Sequence, residues 1–387
     1  MHINGYVTPA FEAVREAFAL NFADTGELGA TVAVWLDGEP VVDLHAGVRD
    51  ADRREPLGPD DLFNVWSTTK GLSALCIAMA ADRRLLDYDV PVARYWPEFG
   101  VHGKDRLTVG QLLSHQSGIC GLAEPCTIED LLDVEAACDR LAAQAPLFEP
   151  GSRSAYNAGI FGHWCDALLR RTDGRGLSAF FADEVSGPLQ ADVWLGLPPD
   201  QHHRRAPMHA PWAAMMPPAP EDPILRQAFY GPPAGALACN RPDWITTGNG
   251  AAGGSAHARG LARIYAAMAC GGTLDGVRLV SAEGLARATQ VRIEGKDPVM
   301  GIYMRWAAGF IRSNRGLYGP NDRTFGHTGL GGSLAFADPD ARLSFAYAMN
   351  AMSPNLLSDP RGKRLIAATY QALDTMRGTV PHDVVTG

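Results

Sequence analysis

Lysine is scarce in this chain: four stand among its 387 residues, and Lys and Arg together number 34 against 43 Asp and Glu. The formal charge of -9 leaves no basic footprint, which argues against a protein whose main partner is nucleic acid. The seven cysteines, spread from Cys76 to Cys270, form no Cys-x-x-Cys pair and no Cys/His ligand cluster. Such an odd, scattered set suits reduced, buried thiols and not a stapled secreted scaffold. No stretch approaches the ~20 apolar residues of a membrane-spanning helix. A basic patch followed by an apolar run is also missing near the start. Segment 10–22 instead carries Glu12, Arg15 and Glu16, so it reads as an amphipathic surface helix, and the expected location is the cytoplasm. Neither an internal repeat nor a low-complexity tract interrupts the chain. No metal and no cofactor is expected.

What is present is an ordinary globular composition, 46% hydrophobic, long enough for a large core and two or three domain-sized units. Residues 31–36 and 39–47 are β-rich and flank Asp37-Gly38, a strong hairpin signal. A second hairpin is expected from 333–337 and 343–349 around Asp338-Pro339-Asp340, and a helix over 355–376 closes the chain. Between these ends the patterns turn helical, at 131–141 and 160–169, and loop-like at 198–233, which is dense in Pro, Met and His. Sheet at both chain ends with helices between predicts an α+β, two-domain molecule. A central antiparallel β-sheet flanked by helices, from residues 1–88 and 238–387, would be interrupted by a mainly helical domain at 89–237, with the active site in the cleft between them.

The chemistry is carried by Ser67-Thr68-Thr69-Lys70, at the start of an apolar helix running to about residue 83. Residues three apart share a helical face about 4.5 Å apart along the axis, so Lys70 can reach the Ser67 hydroxyl. Serine is a weak nucleophile until a base takes its proton. An apolar helix can desolvate Lys70 and lower its pKa into the range of a usable base. The bland alternative is a serine that only caps the helix. A capping serine is commonly followed three residues on by Glu or Gln, and a lysine there opposes the helix dipole.

The surroundings favour the catalytic reading. Residues 63–71 (FNVWSTTKG) resemble the nucleophile segment of the serine β-lactamase and penicillin-binding-protein superfamily. Residues 107–119 (LTVGQLLSHQSGI) are similar to its LLxHxSG signature, 150–157 (PGSRSAYN) to the segment bearing its tyrosine, and 326–329 (GHTG) to its third motif. They occur in the family's order. The resemblance implies a β-lactamase/DD-peptidase-like fold, catalytic Ser67, Lys70 and Tyr156, and an oxyanion hole from the backbone N–H groups of Ser67 and Leu330. It also implies a substrate-facing strand edge at His327, Thr328 and Gly329, and places Asn157 at the amide-binding position. A nearby ammonium would push Tyr156 toward phenolate, able to accept the serine proton and return it to the leaving group.

Other candidates read differently. His115 with Asp130 or Asp133 imitates a Ser-His-Asp set, but no Gly-x-Ser-x-Gly elbow exists, and the resemblance makes His115 structural. His202, His203 and His209 sit in a Pro-rich loop without ligand spacing. Residues 249–255 (NGAAGGS) read as a tight turn leading into a helix at 258–268. Trp212, Met215, Met216, Phe229 and Tyr230 could wall an apolar acyl or alcohol pocket.

Within the superfamily, three features point to carboxylesterases of family VIII: the missing export signal, Asn157 one place earlier than the usual Tyr-x-Asn asparagine, and histidine in place of lysine at 327. A neutral imidazole is a poorer clamp for a β-lactam carboxylate than an ammonium. The resemblance thus implies hydrolysis of small, short-acyl esters through an acyl-enzyme on Ser67. The alternatives are an acyltransferase, a β-lactamase- or amidase-like hydrolase, and a catalytically inactive binding paralogue.

Overall fold

The computed structural model describes residues 2–50, 52, 54–213, 218–314, 316–355, 357 and 359–378. Nine strands form the main sheet: β1 (Ile3–Val7), β2 (Gly29–Leu36), β3 (Glu39–Asp50), β4 (Ile293–Lys296), β5 (Tyr303–Trp306), β6 (Ile311–Arg312), β7 (Phe325–Thr328), β8 (Leu334–Asp338) and β9 (Leu343–Met349). Their spatial order is β1-β3-β2-β9-β8-β7-β6-β5-β4 with antiparallel neighbours, and a short tenth strand, Glu55–Pro56, lies against β3. The two chain ends therefore meet in the middle, where Ala33 of β2 pairs with Ala346 of β9. The hairpin expected at Asp37-Gly38 forms, with both residues at positive φ (54° and 86°), as a two-residue turn matched to strand twist requires.

Alternation along the strands sorts large and small side chains onto opposite faces. Thr31, Ala33, Ser344, Ala346 and Ala348 leave room for the backbone of helix Ala258–Ala269. That helix donates from Ala258 N–H to Thr31 Oγ1 (2.9 Å) and accepts from Ser344 Oγ at Ala262 O (2.7 Å). On the other face Phe336 stacks on Phe345 with centroids 5.3 Å apart. The C-terminal helix Pro360–Arg377 covers this side, its Tyr370 hydroxyl donating to Asp338 Oδ2 (2.6 Å). Helix Glu12–Asp24 packs beside it through Arg364 and Asp24.

Among the described residues, none of 89–237 belongs to a strand of the main sheet. Their short strand Val193–Trp194 pairs with Ser255–Ala256, which also pairs with Phe63–Asn64, so a small second sheet runs straight into the Ser67 segment.

Several elements differ from the sequence reading. The helix expected over 131–141 is two, Ile128–Leu132 and Val134–Ala143, because Asp133 breaks the first and caps the second by accepting from Ala136 N–H (3.2 Å). The closing helix starts at Pro360, where Asp359 accepts from Arg361 N–H (2.9 Å). The loop-like 198–233 contains helix Pro223–Tyr230, capped by Asp222. Ser67 itself lies in a 3-10 turn, Trp66–Thr68, one step ahead of the α-helix Thr69–Asp82.

Candidate active site

The turn that presents Ser67 is held from three sides. Val65 N–H donates to Gly254 O (3.0 Å), Ser333 Oγ donates to Val65 O (2.8 Å), and Thr68 Oγ1 lies 3.1 Å from Ser333 Oγ. Trp66 takes φ = 45°, a conformation costly for a bulky residue. Its ring is fixed against Trp244, with centroids 5.7 Å apart. Gly329 must be glycine: a Cβ there would come within 2.3 Å of Val65 O. That contact brings the end of β7 against the nucleophile turn.

Lys70 Nζ lies 3.1 Å from Ser67 Oγ, 2.8 Å from Ala158 O and 2.9 Å from Ala251 O. The side chain is fully buried, and among the described residues it makes no ion pair. Burial without a counter-charge drives its pKa well below that of a free lysine. As a neutral amine Lys70 donates two N–H groups to the two carbonyls and turns its lone pair to the Ser67 hydroxyl. As an ammonium it would donate to all three oxygens. The Ala251 carbonyl comes from the glycine-rich turn 249–255, whose shape is set by Asn249 Oδ1 accepting from Ala251 N–H (2.7 Å). Both carbonyls are backbone groups, which no side-chain pattern announces.

Tyr156 completes the cluster. Its ring lines the same cleft as Ser67, near enough for the serine side chain to act against the rise in the phenol pKa, and Lys70 Nζ sits 4.7 Å from its ring centroid. The electrostatics run opposite to the expected phenolate. Burial raises the phenol pKa, and the nearby Asp297 charge adds to the rise. Burial thus shifts both groups toward their neutral forms, Lys70 toward the amine and Tyr156 toward the phenol. Trp306 stacks on Tyr156, centroids 5.5 Å apart and planes within 7°. His115 meets the edge of the same ring at 5.0 Å.

A cleft opens over Ser67, lined by Trp66, Tyr156, Phe229, Trp244, Met300, His327, Thr328, Gly329 and Leu330 among others, none of them Asp, Glu, Lys or Arg. Among the described residues the Leu330 N–H donates to no group of the chain. His327 Nδ1 lies 2.7 Å from Thr328 O, so Nδ1–H is the donor and Nε2 is left as an unpartnered acceptor. Burial holds the His327 pKa well below that of a free histidine. The imidazole is neutral.

Ser67, Lys70, Tyr156, His327, Thr328, Gly329, Leu330 and Phe229 thus come together. Three other expected residues stand elsewhere. Asn157 is turned into the protein, its Nδ2 donating to Ile119 O (2.7 Å) and its backbone N–H to His115 Nδ1 (3.2 Å), because the neighbouring residue, not the asparagine, faces the cleft. Trp212 is 44% exposed, with its indole donating to Met352 O (2.9 Å). Tyr230 ends its helix half-buried and does not line the cleft. Met215 and Met216 lie outside the described residues. His115 is buried, its pKa lowered to about 3 by burial, with the Lys70 position adding to the shift. His202 and His203 contact the backbone carbonyls of Leu197 and Asp200. Among the described residues no His/Cys/Asp/Glu group is placed to hold a metal ion. Sequence reasoning missed Trp66, Trp244 and Met300 as walls, and Asp297 and Trp306 behind Tyr156; Trp66 stands in the 63–71 segment without a role read for it, and the other four sit in no motif.

The chain is similar to known proteins along most of its length. The Beta-lactamase family model matches residues 13–369. The chain is 36% identical over 371 residues to the Esterase/beta-lactamase LipL of Mycobacterium tuberculosis, covering 92% of this chain and 85% of that protein. A family VIII carboxylesterase crystal structure superposes with a TM-score of 0.92 at 44% identity, covering 96% of this chain and 100% of the other. A penicillin-binding protein homolog from Caulobacter crescentus superposes at 0.90 with 42% identity and the same coverage.

Proposed function

The chain belongs to the Beta-lactamase family and is a serine hydrolase, and we propose that it hydrolyses small, uncharged carboxylic esters through a covalent acyl-enzyme on Ser67. One observation carries the reading: a buried lysine, without a counter-charge among the described residues, hydrogen-bonds a serine hydroxyl at the floor of a cleft in whose wall none of the described residues is Asp, Glu, Lys or Arg.

In this reading Ser67 Oγ attacks the ester carbonyl carbon while its proton passes to the neutral Lys70 amine. The carbonyl π-bond opens, and the charge on oxygen is met by the N–H groups of Ser67 and Leu330. One such donor is worth about 2.7–4 kcal/mol in the transition state. On collapse the C–O bond to the alcohol breaks, and the alcohol departs with a proton relayed from Lys70 through the Tyr156 hydroxyl. Tyr156 acts as a neutral relay, accepting one proton as it gives another. Water then attacks the acyl carbon with the same pair as base, releasing the acid and restoring Ser67.

The relative whose name joins esterase and β-lactamase supplies a second reading, lactam turnover. The neutral His327 opposes it, because an imidazole acceptor offers a lactam carboxylate no cation.

The test is a panel of p-nitrophenyl esters of increasing acyl length on wild type and Ser67→Ala, with nitrocefin alongside. Turnover that favours short acyl groups and vanishes in the variant is expected. Full ester turnover by Ser67→Ala would remove the nucleophile.

A further inference from the structure

Tyr156 stands on a loop of the region between the sheet-forming segments, so something must hold its ring in the cleft beside Ser67. Asp297, the first residue after β4, is fully buried and lies in no motif. Its Oδ1 accepts from Val299 N–H (2.9 Å) and Met300 N–H (3.1 Å), bonds that an aspartate in a tight turn makes anywhere. Two further bonds are not of that kind. Oδ1 also accepts from the backbone N–H of Tyr156 (3.3 Å), 141 residues away in the chain, and Oδ2 accepts from the Trp306 indole Nε1–H (3.2 Å). Trp306 is the residue whose ring lies parallel to the Tyr156 ring.

One carboxylate therefore holds the tyrosine by its main chain and, through the indole, the plate against which its side chain is stacked. Met300, on the same turn, reaches the cleft wall. Resting on the assignment of Ser67, Lys70 and Tyr156 above, we propose that Asp297 is the positioning residue for Tyr156, setting both ends of the phenol through its backbone and through Trp306. Neither Asp297 nor Trp306 lines the cleft, so the pair acts on the rate of proton relay and leaves ester binding alone.

The test compares wild type, Asp297→Asn and Trp306→Phe. Asparagine keeps one oxygen but turns an NH₂ donor toward an N–H group. Phenylalanine keeps a ring in the stack and removes only the indole N–H, leaving the carboxylate its backbone donors. Each protein is first titrated with a p-nitrophenyl phosphonate, labelled Ser67 is counted by mass, and kcat and KM for p-nitrophenyl acetate are expressed per labelled site. A fall in kcat of about tenfold or more in both variants is expected, with KM within about twofold, since an ångström of misplacement in a catalytic group costs up to about 100-fold. A merely structural role would lower the fraction of sites able to take the label and the melting temperature while each such site, in unlabelled enzyme, turned over at the wild-type rate, and that result overturns the proposal. If Asp297→Asn does not fold, Trp306→Phe decides by the same criterion. Failure of the phosphonate to label wild type at Ser67 would instead overturn the site assignment, so the two failures are distinct.

Discussion

Lys70 reaches Ser67 across 3.1 Å with no acidic side chain to neutralise it, and its other two contacts, at 2.8 and 2.9 Å, are to uncharged carbonyls. A cation so placed loses its hydration without gaining a counter-ion, and the neutral amine is the favoured form. The basicity of this site comes from that imbalance.

Lys70→Arg separates charge from basicity. Guanidinium keeps the donors but stays protonated at any working pH. Ester turnover should fall by about 10³ or more, near the range expected for losing a general base, while the fold persists. Stopped assays on p-nitrophenyl acetate, with circular dichroism as the control, read this directly.

The pH profile of kcat/KM follows from the two shifted groups. Activity needs Lys70 neutral, so it is lost as pH falls through the lowered lysine pKa and is present above it. Tyr156 is raised by burial, so its ionisation should produce no decline below about pH 10, the value for a free phenol. Tyr156→Phe should cut kcat while leaving the acid limb in place. A rate that climbs with tyrosine ionisation would restore the phenolate.

Stability should fall in acid on account of His115. Its folded pKa, about 3, lies below the ~6.5 of an unfolded histidine. Below pH ~6.5 the unfolded chain takes up a proton that the native ring refuses, so stability drops as pH falls toward the folded value, by up to ~1.4 kcal/mol per pH unit. Urea midpoints between pH 7 and 4 should show a shallower acid slope for His115→Asn, by about one proton.

Trp244 and Trp66 form one wall of the cleft. Trp244→Ala should open it, raising kcat/KM for longer acyl chains relative to acetate, at a stability cost of about 3–5 kcal/mol from the cavity and lost contacts. The acyl-length panel repeated on this variant checks the direction. An unchanged preference would show that acyl groups lie elsewhere.

Behind the turn at 329–332, Arg361 donates to Gly331 O (2.7 Å), Glu27 Oε1 (3.0 Å) and Asp359 Oδ2 (2.7 Å), and Glu27 also accepts from the Tyr347 hydroxyl. Arg361→Met strands two buried carboxylates, which should cost about 3–5 kcal/mol. A thermal melt that barely moves would mean the network reorganises around the missing cation.

The Ser67–Lys70 contact and the sheet at the chain ends were legible because their signals are local. Ser67 and Lys70 sit three residues apart, and Asp37-Gly38 imposes a turn whatever surrounds it. Asn157 and Trp212 read as site residues by adjacency and aromatic character, yet which side of the backbone faces the cleft is settled by packing around His115 and Met352. Helix boundaries shifted at Asp133 and Asp359, where side-chain caps outcompete hydrophobic periodicity.

By itself, then, the amino-acid sequence determined that Ser67 and Lys70 stand within reach of each other, the pair proposed here as nucleophile and base, and an antiparallel sheet assembled from both ends of the chain, since each follows from short-range spacing. The tertiary structure alone decided the burial that shifts Lys70 and Tyr156 toward their neutral forms, the carbonyls of Ala158 and Ala251 that hold the Lys70 Nζ, and the aromatic walls of the cleft. These depend on burial and on backbone groups brought together from distant segments, and neither quantity is written in the spacing of residues along a chain.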